Sequence, residues 1–161
     1  MLSVGLSYAQ KDAIRYEMKQ IPGEDCIASA NDVKFLIFSF GKNHSQLQQD
    51  NIYNRDAIHA VIFRGIPDCG VKPLYSKPKG KWTAEEKKFW RDFFAVKDVN
   101  SWEKQKKQAP LISYLSYASA TGSPNPETVT KYGKQMKIGI PIRVQREALR
   151  DYLKQEGIDV Y

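Results

Sequence analysis

Two cysteines, two histidines and three methionines are spread over 161 residues, and these scarcities exclude several classes of protein. Two cysteines cannot build a disulfide-framework miniprotein. Neither belongs to a Cys-x-x-Cys pair with histidines at ligand spacing, so no metal site is expected. No apolar run reaches the ~18–20 residues that a membrane-spanning helix needs. The phosphate-cradling Gly-x-x-x-x-Gly-Lys-Ser/Thr loop is missing: Gly80-Lys81 is followed by Trp82, which has no hydroxyl to give a magnesium ion. Gly-x-Gly-x-x-Gly, His-Glu-x-x-His, Gly-x-Ser-x-Gly and EF-hand loops are absent too. The sequence therefore points to no cofactor, no metal and no catalytic residue.

What is present describes one soluble α+β domain over residues 10–161. The chain is 42% hydrophobic and 27% charged, with 10 glycines and 8 prolines, which is neither disordered nor collagen-like. Ile14 to Lys19 alternates apolar and charged residues, as a half-buried strand does. Val33 to Phe40 (VKFLIFSF) is almost continuously apolar and predicts a strand covered on both faces. Residues 45–64 predict one long central helix, capped by Ser45 and stopped by Gly65 at a left-handed position. Its second half, Ala57 to Phe63, is apolar around nearly its whole circumference and must be buried.

Further along, Thr83 and Glu86 form a capping box for a flanking helix over 83–96, with Phe89, Trp90, Phe93 and Phe94 in one stripe. A third strand is expected over 111–118, and residues 121–130 read as a loop. Met136 to Val144 predicts a fourth strand, placed at an edge or bulge by Pro141. A second flanking helix over 146–156 turns Ala148, Leu149, Tyr152 and Leu153 inward. The expected architecture is a mixed sheet of about four strands around the buried helix.

The first nine residues, MLSVGLSYA, resemble the end of a secretion signal, with Ser7-Tyr8-Ala9 supplying small residues before a cut at Gln10. In an exported protein Cys26 and Cys69 could pair; closing that loop would add ~3–4 kcal/mol by the chain-entropy estimate. In a cytosolic protein both would be ordinary thiols.

The net charge of +7 is uneven, with 11 Lys/Arg against 5 Asp/Glu between Lys72 and Lys107. Lys72, Lys77, Lys79, Lys81, Lys87, Lys88, Lys104, Lys106 and Lys107, with Trp82 and Trp102, are the candidate contacts for a polyanion or partner surface. The plainer reading is that Trp90 is core and the lysines decorate solvated faces. His59, in the apolar part of the central helix, is read as a buried imidazole bonded to a neighbour. His44, at a strand-to-helix turn, could face an anion. Asp50, Asp56, Glu85 and Glu86 are expected on polar faces or in caps, with no acid–base pair among them.

The segment Asn54-Arg55-Asp56-Ala57-Ile58-His59-Ala60-Val61-Ile62-Phe63-Arg64-Gly65-Ile66-Pro67 resembles a helix ending in small uncharacterised exported proteins of Bacteroidetes, where the pattern is N-A-V-H-x-V-x-F-K-G. Phe89-Trp90-Arg91-Asp92-Phe93-Phe94 and Ile138-Gly139-Ile140-Pro141-Ile142-Arg143-Val144 with Leu149-Arg150, Leu153 and Gly157-Ile158 look similar as well. Asp56 and Pro141 depart from that pattern. The plan also looks distantly like the small envelope domains of the flagellar assembly T protein, by analogy of fold alone. The resemblance implies a non-enzymatic periplasmic or surface module of the bacterial envelope, whose partner is an envelope protein or anionic surface polymer. The alternative is a cytoplasmic binder of nucleic acid or another polyanion through residues 72–107.

Overall fold

A computed structural model of the chain describes residues 15–97 and 112–160. The leader expected at 1–9, the start of the strand expected at 111–118, and Trp102, Lys104, Lys106 and Lys107 lie outside those residues. The described residues fall into two compact units, one of residues 16–76 and 113–160, the other built on residues 77–97. The α+β fold is concentrated in the first.

That unit holds five strands: β1 (Tyr16–Lys19), β2 (Val33–Gly41), β3 (Ala118–Ala120), β4 (Val129–Tyr132) and β5 (Gln135–Val144). Their order is β1-β2-β5-β3, with β4 also on β5. Every pairing is antiparallel, which corrects the mixed sheet expected. β2 and β3 do run the same way, but β5 lies between them, so the helical crossover that joins them creates no parallel pair.

β2 is buried on both faces as its composition demands. Phe35 and Ile37 are fully buried on one side, and Leu36 and Phe38 are covered on the other. The Phe38 ring lies on Gly139, where a Cβ would come within 2.4 Å of it, and the ammonium groups of Lys19 and Lys137 stand 5.7 and 5.4 Å from its centroid. Aromatic face and lysine stem thus finish that side of the sheet.

β5 is a central strand paired in unbroken register with β2, neither the edge nor the bulge that Pro141 predicted. Antiparallel pairing puts a residue's N–H and C=O on the same flank, and the Pro141 carbonyl accepts from the Thr121 N–H at 3.0 Å. The missing amide therefore faces the flank where β3 ends opposite Ile142 and β4 begins opposite Ile138. No ladder bond is required at that gap, so proline is tolerated there.

The helix expected over 45–64 is divided. α1 (His44–Gln49) starts from Asn43 rather than Ser45, the Asn43 side chain accepting from the Gln46 amide. Asn51 then takes a left-handed conformation at φ 57°, and α2 (Ile52–His59) begins. A wider π turn, Ala60–Arg64, closes it. Ala57, Ile58, Ala60, Val61 and Ile62 are all fully buried, as their all-round apolarity requires. The loosened carbonyls of Val61 and Ile62 are met by the Leu74 and Tyr75 amides at 3.1 and 2.8 Å, which answers the hydrogen-bond deficit of a helix end.

The expected third strand is mostly a 3₁₀ turn, Ile112–Tyr117, and only Ala118–Ala120 pairs. Asn54 on α2 donates to the carbonyls of Leu115 and Ala118, holding that turn to the helix. β4 starts inside the segment expected to be loop. The last helix of this unit (Arg146–Gln155) buries Leu149 and Leu153 and leaves Ala148 exposed. Gly157, at φ 80°, ends it.

The smaller unit carries α3 (Ala84–Phe94), opened by the expected capping box of Thr83 and Glu86. Counting it, the closing helix is α4. On α3, Phe89 stacks on Phe93 and Trp90 on Phe94, so the stripe is one interlocked set of rings at i and i+4.

Candidate functional site

Two polar constellations emerge in the larger unit. The first is buried where α2 crosses the sheet. Tyr16 and Ser39 are direct cross-strand partners, and Asp56 and His59 stand at i and i+3 on α2, sharing one face. Ser39 Oγ donates to Asp56 Oδ2 at 2.6 Å, and Tyr16 Oη lies 2.7 Å from His59 Nδ1. Arg55 adds its guanidinium to Asp56 Oδ1 at 3.3 Å, and Arg64 lies over the Tyr16 ring at 4.2 Å.

Serine, histidine and aspartate are thus close together, and the serine hydroxyl gives its proton to Asp56. Nucleophile activation needs the histidine against the serine hydroxyl, whereas Ser39 is spent on Asp56. His59 is the buried, neighbour-bonded imidazole that its place on an apolar helix predicts. Asp56 overturns its expected polar-face position: it is 1% exposed, stabilised there by Ser39 and Arg55. Burial pushes the Tyr16 hydroxyl well above its ordinary range, against Arg64 and with the Asp56 carboxylate. His44 bonds the Tyr53 hydroxyl at 3.0 Å.

The second constellation is a surface cleft of about 350 Å³. One wall is the turn over residues 27–33 and the other the loop over residues 69–72, with Arg146 and Glu147 of α4 as its floor. Cys26 and Cys69 are joined as a disulfide, Cα atoms 5.8 Å apart, so the two walls are covalently linked. The Asn31 carbonyl accepts the Glu147 amide at 3.0 Å, and an Arg146 Nη2–H donates to the Lys72 carbonyl at 3.1 Å. Each wall is therefore tied to the start of α4.

The described lysines among those singled out in the sequence are divided between the two units. Lys72 stands in the cleft lining, whereas Lys77, Lys79, Lys81, Lys87 and Lys88 belong to the smaller unit. There Lys77 pairs with Glu86 at 2.8 Å and Lys88 with Asp92 at 2.6 Å. Trp82 was expected on the surface and is buried, its indole N–H donating to the Lys77 carbonyl at 2.8 Å. It offers no stacking face. Sequence reasoning missed Arg146 and the 27–33 turn as partners of Lys72, because nothing in a chain of this spacing brings 31, 72 and 146 together.

Among the described residues no group of three or more potential metal ligands occurs, and no helix is long and apolar enough to cross a membrane. No family model, curated protein or solved structure matches the chain.

Proposed function

We propose that this protein is a non-enzymatic binding module of the bacterial envelope, exported to an oxidising compartment. The observation that carries the reading is the Cys26–Cys69 disulfide, since such bonds persist outside the reducing cytosol. It rims the one cleft formed by convergent charged groups described above, which is where a small partner group would be held. Ser39 donates its hydroxyl proton to Asp56, which agrees with binding rather than with a serine activated as nucleophile.

Intact mass measured on native material from fractionated cells tests this. The expected species begins at Gln10, fractionates outside the cytoplasm and gains two protons on reduction. A cytoplasmic species that retains Met1 and two free thiols overturns the reading and favours the polyanion binder.

A further inference from the structure

Resting on the binding-module reading, we infer that the disulfide-rimmed cleft is a carboxylate site: it takes a carboxylate carried on a short apolar body, as at the C-terminus of a peptide. Charge gives the first argument. Two carboxylates line the cleft and both are already engaged, Asp32 by Arg143 at 2.7 Å and Glu147 by Arg150 at 3.3 Å and by Arg146 at 3.6 Å. Lys72 has no carboxylate within ion-pair distance among the described residues. Arg146 is fixed by its bond to the Lys72 carbonyl and its ion pair with Glu147, and its Nε–H has no hydrogen-bond partner among the described residues. An incoming anion would give Lys72 the counter-charge that the lining does not supply.

Shape gives the second. Ile27 is 53% exposed, one of the two most exposed large apolar side chains described, and it lines this cleft with Val71 and Ala30. An apolar side chain next to the carboxylate would cover it, while a bare inorganic anion would leave it wet. Rigidity gives the third. Lys72 and Ile27 lie on different walls, and Cys26–Cys69 links those walls covalently, which reduces the ordering cost of binding.

The test is titration of acetyl-Ala-Ala, as free acid and as C-terminal amide, into the oxidised full chain, followed by calorimetry and amide chemical shifts. The acid is expected to bind at least roughly tenfold more tightly than the amide, with shifts at residues 27–33 and 69–72. Lys72→Ala, at an exposed position, is expected to weaken the acid several-fold at unchanged circular dichroism. The double variant Cys26→Ser, Cys69→Ser is expected to lose the preference. Equal affinity for acid and amide, no binding of either, or an unchanged affinity in Lys72→Ala overturns the inference. Each leaves the envelope reading standing, because export and the native disulfide are read by mass and fractionation alone.

Discussion

Gly65 and Gly70 share a backbone φ of +67° yet differ in what surrounds them. A Cβ at Gly65 would meet the Val71 carbonyl at 2.3 Å and the Pro73 nitrogen at 2.7 Å, both backbone atoms, whereas at Gly70 it would meet nothing within 4 Å. Gly70→Ala should cost about 1 kcal/mol of left-handed strain, and Gly65→Ala clearly more, at least ~2 kcal/mol. Urea unfolding of the two variants measures the difference. Tyr16 gives a pH prediction. Its folded pKa is raised above the unfolded value of ~10, so its contribution to stability is fully present below pH ~10 and is lost as pH climbs beyond it. Tyr53 and Tyr152 are raised by burial too. The thermal midpoint should therefore fall from pH 9 to 11, and fall less steeply in Tyr16→Phe. The Ser39–Asp56 bond is legible at this scale only in part. A serine inside VKFLIFSF and an aspartate inside an apolar helix are each local anomalies, but their meeting depends on which face α2 turns to β2.

At the scale of the element, local chemistry was readable wherever the deciding groups are neighbours in sequence. The capping box of α3 is such a case, and Thr83→Ala should destabilise that helix by ~1 kcal/mol, seen as faster amide exchange in its first turn. β2, α3 with its aromatic stripe and α4 all follow from residue pattern. The long central helix does not survive as one piece because Asp50-Asn51 favours a turn, and Asn accepts φ > 0 more readily than most residues. β3 and β4 were illegible for another reason: three- and four-residue strands carry almost no period, and β5 recruits them along its one flank left open by β2, before and after Pro141. Trp82 shows the same limit, since its burial and its bond to Lys77 are matters of how its unit closes.

For the whole molecule, the disulfide ties the turn before β2 to the loop after the π turn. Those segments are joined otherwise by the Gln20 amide bonding Asp68 at 3.3 Å. Reduction releases a loop with a sequence separation of 43 residues, which the chain-entropy estimate values at ~3–4 kcal/mol. A drop of about 10 °C in the thermal midpoint is expected with reductant, and a midpoint that does not move would show the two segments held by their other contacts. The strand order has one more consequence. VKFLIFSF, rich in β-branched and aromatic residues and nearly free of charge, has the composition that seeds fibrils. In the native sheet it is flanked by β5 on one side and β1 on the other, and the described edges are strands of three or four residues, interrupted on one side at a proline. Short, broken borders give an incoming chain no ladder to extend. The hazard is deferred to the unfolded chain, so conditions that open the sheet should make this protein aggregate through residues 33–40, and reduction should lower the temperature at which that begins.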